Sequence, residues 1–284
     1  MTSESKRIAS PSALRGQIEV PSDKSLVHRA VLFASIAEGL SRVRAKTMGR
    51  DNLATIRVMQ QLGVEIACRL SADVYALAKE EGIRNISILD VADAQSNVCE
   101  LEIRGKGLSG LRAPTEVLNC GNSGTTSRLL LGVLAAAQVP ATIDGDASLR
   151  RRPFRRVTGP LSEMGAQFSS DTLPITITKG VSRGILYTSP KASAQVKSAI
   201  LLAGLGVPSS ASESGVVVSE PVLSRDHTER LFGLMGCPVG SSRVASGAWE
   251  ASLPVDPQAR RLCGSELAIC GDFSAAAFLL AAIA

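Results

Sequence analysis

The chain has 284 residues, of which 45% are hydrophobic and 20% charged, with a formal net charge of +5. This composition is typical of a globular protein with one large or two ordinary domains, and it excludes disorder of the whole chain. Aromatic residues make up only 3%, which argues against stacking platforms for nucleic acid. The small positive excess is compatible with an anionic small substrate rather than a nucleic-acid partner.

Six cysteines are scattered along the chain without a CxxC pair, and His28 and His227 are the two histidines. This spacing predicts reduced thiols and no metal site. The first seven residues contain no apolar stretch typical of a secretion signal, and the apolar stretch 273–284 is too short to span a bilayer. The sequence therefore predicts a cytoplasmic protein with no membrane contact.

Four segments share one pattern, in which a small polar loop runs into an Ala- and Leu-rich stretch. They are residues 21–40, 120–138, 190–207 and 270–284. In each segment a Ser, Asn or Asp precedes the apolar residues, which is the signature of a helix N-cap. The pattern predicts four helices that begin at polar loops.

A short β-branched or apolar stretch follows each of the first three helices, and then a charged loop and a second helix. These second helices end at Gly63, Gly165 and Gly236, which fit the left-handed residue that terminates a helix. Alternating stretches such as 101–105 and 173–178 are typical of strands. The sequence thus predicts an α/β (α+β) fold made of duplicated subdomains around an axis.

The repeats number three, with the first half of a fourth that stops inside its first helix. We therefore expect a fold that is incomplete at residue 284. The alternative is a tail helix that simply ends the protein.

Chemistry-bearing residues concentrate at the predicted helix starts, where free N–H groups and the helix dipole favour anions. Lys24, Ser25 and Arg29 begin the first helix. The alternative for such a group is a capped helix with solvated charges.

The second helix of this kind follows a glycine-rich turn, residues 121–126. No Gly-Lys-Ser/Thr follows, so a nucleotide-hydrolysing loop is not supported. The stretch 105–110 formally matches GxGxxG, but no helix is predicted after it, and we expect a plain turn.

Two further loops carry cations and hydroxyl groups. Arg150, Arg151 and Arg152 stand before a proline that can open a helix, and arginine binds carboxylate or phosphate through two parallel hydrogen bonds. Residues 193–198 begin the third buried helix with a hydroxyl and an amide. His227 also stands at a helix start, where a structural role is more common than general-base catalysis.

Six motifs together resemble the 5-enolpyruvylshikimate-3-phosphate synthase family, in the order that this family has them. They are PSDKSLVHRA, LNCGNSGTTSRLL, DGDASLRRRP, SAQVKSAILLAGL, SRDHTERL and GDFSAAAFLLAA. The resemblance covers essentially the whole chain. It implies transfer of the enolpyruvyl group of phosphoenolpyruvate to the 5-hydroxyl of shikimate 3-phosphate, with release of phosphate. It also implies a fold of repeated βαβαββ units, no metal or organic cofactor, and inhibition by glyphosate.

The resemblance assigns roles to individual residues. Positions that match shikimate-3-phosphate contacts are Lys24, Ser25, Arg29, Ser193, Ala194, Gln195, Ser219 and Arg225. Positions that match phosphoenolpyruvate contacts are Lys24, Asn122, Gly124, Arg152 and Gln195. Lys24 faces both substrates and is the catalytic candidate. Ala194 is serine in some members, so its contact would be made by the backbone.

The resemblance implies that the acid–base aspartate of the family, and further lysine and arginine groups, belong to a second domain beyond position 284. We expect a complete three-unit domain over residues 21–258, with 1–20 and 259–284 as pieces of the second domain. The chain by itself would then be inactive, or active only with a C-terminal fragment as its partner.

Two alternatives remain at this level. The chain could be a shikimate-3-phosphate-binding module without catalysis. It could also be related to the enolpyruvyl transferase that acts on UDP-N-acetylglucosamine, although that family has a Lys-Asn pair where this chain has Lys24-Ser25.

Overall fold

The computed structural model describes residues 16–89, 98–209 and 215–283. Its helices are α1 (Lys24–Ile36), α2 (Arg50–Gln61), α3 (Ala72–Glu80), α4 (Gly124–Ala137), α5 (Ala147–Arg150), α6 (Arg155–Glu163), α7 (Ala194–Gly204), α8 (His227–Leu234) and α9 (Phe273–Ile283). Its strands are β1 (Glu38–Ala45), β2 (Glu65–Leu70), β3 (Ile86–Ile88), β4 (Cys99–Lys106), β5 (Leu118–Asn119), β6 (Ala141–Asp144), β7 (Gln167–Phe168), β8 (Ile175–Lys179), β9 (Ile185–Thr188), β10 (Val216–Glu220), β11 (Gly240–Arg243), β12 (Trp249–Ser252) and β13 (Glu266–Ala268).

Three sheets repeat one strand arrangement. The second sheet has the order β5-β6-β8-β7 and the third β9-β10-β12-β11. In both sheets the first two strands are parallel and are joined through a helix. The third strand is antiparallel to the second and the fourth is antiparallel to the third. The predicted duplication of one subdomain is therefore confirmed at the level of strand order.

The first sheet completes the same arrangement with a strand from far along the chain. Its order is β13-β1-β4-β2-β3, and β13 pairs in parallel with β1. The backbone N–H of Asp23 also donates to Cys270 O at 2.9 Å, so the chain enters α1 beside the point where it leaves β13. Residues 266–268 thus lie in the first sheet, beyond the predicted boundary at residue 258. That boundary stays a prediction, and residues 1–15 of the predicted N-terminal piece lie outside the described residues.

The first helices of the three units, α1, α4 and α7, are almost entirely buried and form the centre of the core. Small residues let α4 and α7 approach closely, since a Cβ on Gly132 would lie 2.4 Å from Ala199 O. The sheets lie outside these helices, and burial alternates along strands such as β4, where Leu101 and Ile103 are buried and Glu102 between them is exposed. The packing of α1, α4 and α7 brings their N-terminal ends to one region of the molecule.

The predicted helix terminators adopt the left-handed conformation, with φ of 89° at Gly63, 102° at Gly165 and 95° at Gly236. The second helix predicted after Arg152 forms as α6, and a separate short helix, α5, precedes Arg152. Asp146 caps the short α5 through Leu149 N, and α6 begins only after Pro153. Helix α3 and strand β3 were not predicted from the sequence. Residues 108–110 form a 3-10 turn with no following helix, as expected.

Across the described ranges, no helix is both long and apolar enough to cross a membrane. The same residues contain no group of three or more His, Cys, Asp or Glu side chains that could hold a metal ion. All six cysteines are free thiols in the structure.

Candidate functional site

The N-terminal ends of α1, α4 and α7 meet through side-chain hydrogen bonds. Arg29 of α1 donates to Ser198 of α7 at 2.8 Å. Gln195 of α7 donates to Thr125 of α4 at 3.0 Å. Three helix starts of separate units are thereby brought to one place, although they are about 70 to 100 residues apart in sequence.

At the start of α1, Asp23 caps the helix by accepting from Leu26 N at 2.8 Å. The Lys24 ammonium forms an ion pair with Asp51 in the first turn of α2, and Asn52 donates to the Lys24 carbonyl at 3.1 Å. The Lys24 side chain is 57% exposed. The predicted catalytic lysine is therefore held by α2 at the protein surface, with its position fixed by one carboxylate.

Arg29, further along α1, is 1% exposed. It donates to Thr228 at 2.9 Å and, through a second nitrogen, to Ser25 O at 3.2 Å and Ser25 Oγ at 3.3 Å. Burial lowers the pKa of Arg29 to about 10, while the charge of Glu229 opposes this shift. Arg29 stays charged at neutral pH and orients Ser25, and the direct ligand contact that the resemblance implies for it stays a prediction.

The start of α4 carries a second group of predicted site residues. Arg152 donates to Asn122 Oδ1 at 2.7 Å, and Asn122 donates to Asp146 at 2.6 Å. The hydrogen bond from Asn122 holds the pKa of Asp146 below its usual value. A Cβ on Gly124 would lie 3.1 Å from Arg152 Nη1. Asn122, Gly124 and Arg152 are thus adjacent, and the contact with phosphoenolpyruvate that the resemblance implies for them stays a prediction.

Arg128, one turn into α4, was missed by the sequence analysis. It donates to Gln195 Oε1 at 3.2 Å and lies 5.1 Å from the centre of the Phe154 ring. Burial lowers the pKa of Arg128, and the neighbouring charges of Arg152 and Arg156 lower it further. Three arginines that repel one another at a helix start form a local excess of positive charge, which a bound anion would relieve.

At the start of α7, the backbone N–H of Ser193 donates to Glu220 Oε1 at 2.7 Å. Its side chain makes no capping hydrogen bond in the described structure, unlike those of Asp23 and Ser123 in the other units. Gln195 joins α7 to Arg128 and Thr125. The amide predicted to reach both ligands therefore lies between the two groups of predicted residues.

Ser219 and Arg225 lie on either side of the turn that follows β10. Ser219 is half-buried and its carbonyl accepts from Ser189 N at 2.8 Å. Arg225 is exposed and donates to Ser274 of α9 at 3.0 Å. Burial lowers the pKa of His227 below its usual value, and the charges of Arg29 and Arg225 act in the same direction. A neutral, half-buried imidazole agrees with a structural role for His227.

A buried hydrogen-bonded chain of polar side chains connects α1, α2 and the start of α4. His28 Nδ1 lies 2.7 Å from Thr55 Oγ1, which lies 2.7 Å from Thr126 Oγ1. Thr126 in turn donates to Ser123 Oγ at 2.6 Å. Burial lowers the pKa of His28 to about 3, so this histidine is neutral near pH 7.

A cleft of about 880 Å³ lies at the other end of α2. Its lining includes Gln61, Arg104 and Arg112 and none of the predicted site residues. This cleft is therefore separate from the helix starts that form the candidate site.

Comparison with known proteins identifies the family of this chain. The fold is that of an enolpyruvyl transferase, and the profile of "EPSP synthase (3-phosphoshikimate 1-carboxyvinyltransferase)" matches residues 8–80 and 70–284. The chain belongs to the EPSP synthase family, and its mixed α/β architecture is the enolpyruvyl-transferase fold.

Curated relatives named 3-phosphoshikimate 1-carboxyvinyltransferase include one from Bacillus cytotoxicus, 42% identical over 276 residues, which cover 95% of this chain and 55% of the relative. Another, from Desulfitobacterium hafniense, is 40% identical over 290 residues, with coverage of 99% and 56%. A solved EPSP synthase structure from Acinetobacter baumannii has a TM-score of 0.72 at 36% identity, covering 93% of this chain and 52% of that one. The chain thus spans about half the length of the relatives that it matches.

Proposed function

We propose that this chain forms the part of an enolpyruvyl transferase that binds shikimate 3-phosphate and one side of phosphoenolpyruvate. The overall reaction would transfer the enolpyruvyl group to the 5-hydroxyl of shikimate 3-phosphate and release inorganic phosphate. The proposal rests on family membership together with the meeting of three helix starts at one surface.

The start of α7 is the proposed seat of the shikimate phosphate. Ser193 offers a hydroxyl that makes no capping bond in the described structure, and Gln195 offers an amide. The exposed guanidinium of Arg225 lies close enough to Arg29 for their charges to interact. Free N–H groups at the helix start add partial positive charge. Lys24, Ser25, Ala194 and Ser219 complete the proposed contacts.

The start of α4 is the proposed seat of phosphoenolpyruvate. Arg152 and Asn122 are already hydrogen-bonded to each other, so their orientation is set before ligand binds. Gly124 has no side chain, and the guanidinium groups of Arg128 and Arg152 lie beside it. In this arrangement Gln195 would contact both ligands, because it bridges α7 and α4.

The single observation that carries the proposal is that the Gln195 side chain bridges α7 and α4. It donates a hydrogen bond to Thr125 and accepts one from Arg128. These bonds join the proposed phosphate seat of one substrate to the cations of the other. A transferase needs its two reactants held in one geometry, and such alignment supplies much of its rate enhancement.

Calorimetric titration of the 284-residue chain with shikimate 3-phosphate and with shikimate tests the binding step. We expect the phosphorylated ligand to bind more tightly by tenfold or more, because charge-assisted hydrogen bonds to phosphate are worth roughly 1.5–3 kcal/mol each. Equal affinity for the two ligands would contradict the proposal. A phosphate-release assay with both substrates separates a transferase from a binding module without catalysis.

The exposed apolar face of α9 is the proposed contact for a C-terminal fragment of the same enzyme. Phe273 is 75% and Phe278 81% exposed, although both are large hydrophobic side chains. Burying such surface is a main driving force of association. Glyphosate is proposed as an inhibitor of the same site.

A further inference from the structure

A cluster of three buried charges lies beneath the start of α7. Lys197 Nζ lies 3.0 Å from Glu220 Oε2 and 2.7 Å from Glu229 Oε1. The three side chains are between 2% and 5% exposed. Buried ion pairs add little net stability compared with apolar side chains of similar size. Stability alone therefore does not account for this cluster.

Glu220 differs from Glu229 in the hydrogen bonds that it accepts besides the ion pair with Lys197. One of its carboxylate oxygens accepts from Ser193 N at 2.7 Å, and the other accepts from Ser224 Oγ at 2.7 Å. Ser193 begins α7, and Ser224 immediately precedes Arg225. A single carboxylate thus fixes both loops that carry proposed phosphate contacts.

Glu229 has no such connection. Apart from the ion pair between Oε1 and Lys197 at 2.7 Å, neither of its buried oxygens has a hydrogen-bond donor among the described residues. Glu220 and Glu229 are therefore two carboxylates on the same lysine, of which only one is bonded to the site loops.

A carboxylate beneath an anion site needs a counter-charge, because like charges repel strongly in a buried setting. Lys197 provides that charge. Burial would raise the pKa of Glu220, but hydrogen bonds from Ser224, Ser193 and Lys197 hold it below its usual value. The carboxylate stays ionised at neutral pH and accepts from both loops.

We propose that Glu220, neutralised by Lys197, is a positioning residue that holds Ser193 and Arg225 in place for the phosphate of the first substrate. This inference rests on the proposed function, because it takes the start of α7 as the phosphate seat. Glu220 acts through the two loops and does not itself touch the ligand.

The Glu220→Gln variant distinguishes a positioning role from a purely electrostatic one, because the two roles predict opposite changes in affinity for shikimate 3-phosphate. Removing a negative charge beneath the site would by itself strengthen anion binding. Loss of the ionised acceptor loosens both loops, and we expect affinity for shikimate 3-phosphate to fall about tenfold while affinity for shikimate stays within about twofold. Glu229→Gln is the matched control, because it removes the same charge from the same lysine without touching either loop. Its preference for the phosphorylated ligand should equal or exceed that of the unsubstituted chain.

Hydrogen exchange of the ligand-free chain provides a second readout. Glu220→Gln should speed exchange of the Ser193 amide at least tenfold, whereas Glu229→Gln should not. Unchanged exchange in Glu220→Gln, or equal loss of phosphate preference in both variants, would overturn the positioning role. If the unsubstituted chain showed no preference for phosphate, the proposed function would fail instead, and the role of Glu220 toward a ligand would fall with it.

Discussion

Arg29 of α1 donates to Ser198 of α7 at 2.8 Å, across the boundary between the first and third units. A second bond, to Thr228 at 2.9 Å, ties the same guanidinium to α8. Lysine keeps the charge but cannot reproduce this planar set of donors. We expect Arg29→Lys to lower the free energy of unfolding by about 2–3 kcal/mol, because two to three buried hydrogen bonds are lost.

Urea denaturation followed by circular dichroism measures this effect. Arg42→Lys is a suitable control, because Arg42 is exposed and its ion pairs with Glu102 and Glu266 lie on the outer face of the first sheet. Exposed pairs contribute little, so its denaturation midpoint should hardly move. Similar shifts in the two variants would contradict the link between units.

The neutral, buried His28 predicts a loss of stability at acid pH. Its pKa is lowered to about 3 in the folded chain, against an ordinary value of 6.5 for histidine. As the pH falls below 6.5, His28 becomes protonated in the unfolded chain but stays neutral in the folded chain. The unfolded state is thereby favoured, and the free energy of unfolding decreases. Between pH 7 and pH 5 this residue should cost about 2 kcal/mol.

His28→Asn tests this pH dependence, because an asparagine amide can keep the hydrogen bond to Thr55 and does not titrate. The difference in unfolding free energy between the two proteins should change by about 2 kcal/mol over the same interval. Parallel pH profiles for both proteins would show that His28 is not the source.

The proposed division of the site between two substrates predicts that Arg225 affects the preference for the phosphorylated ligand and that Arg152 does not. Ser193→Ala and Arg225→Ala should each reduce the preference for shikimate 3-phosphate over shikimate about threefold to tenfold, since each removes one contact to phosphate. Arg152→Ala should leave that preference unchanged, because Arg152 lies with Asn122 at the start of α4. Calorimetric titration of all three variants with shikimate 3-phosphate and shikimate measures this preference. If Arg152→Ala alone abolished binding of shikimate 3-phosphate, the proposed division of residues between the two substrates would be wrong.

Gly124→Ala should alter ligand selectivity without harming the fold. The new methyl group would lie 2.7 Å from Arg128 Nη1 and 3.1 Å from Arg152 Nη1, which are the movable ends of long side chains. The guanidinium groups can shift while the backbone stays in place, so thermal stability should change little. The methyl group narrows the proposed phosphoenolpyruvate seat.

Glyphosate is longer than phosphoenolpyruvate, and we expect Gly124→Ala to weaken it more. Inhibition constants and KM values, measured on an active enzyme form that contains this chain, provide the comparison. Equal losses for both ligands would remove the steric explanation.

Local signals in the sequence predicted much of the fold. Gly63, Gly165 and Gly236 terminate their helices as expected, because the left-handed conformation depends on the residue itself and its immediate neighbours. The pairing of β13 with β1 could not be predicted in this way. A strand of three residues has almost no periodicity, and nothing local identifies a partner more than 220 residues away.

The candidate site was predicted unevenly for a similar reason. Residues at helix starts stood out, since caps and cations there have a recognisable pattern. Glu220 was missed because it ends an ordinary strand, and its role depends on two loops that only the folded chain brings together. Lys197 offered a signal that could have been used. A single charge in the apolar stretch 196–204 is expected to be buried and therefore paired.

The late arrival of β13 has a consequence for synthesis. At roughly 5–20 residues per second, the 224 residues that separate Arg42 from its partner Glu266 take on the order of 10 to 45 s to make. Throughout that interval the first sheet carries an open edge, and open edges recruit strands from other chains. Arg42 and Arg44 are exposed charges on this very strand, and charged side chains are a common protection of such edges. The two arginines can thus keep nascent chains apart until the strand that closes the sheet leaves the ribosome.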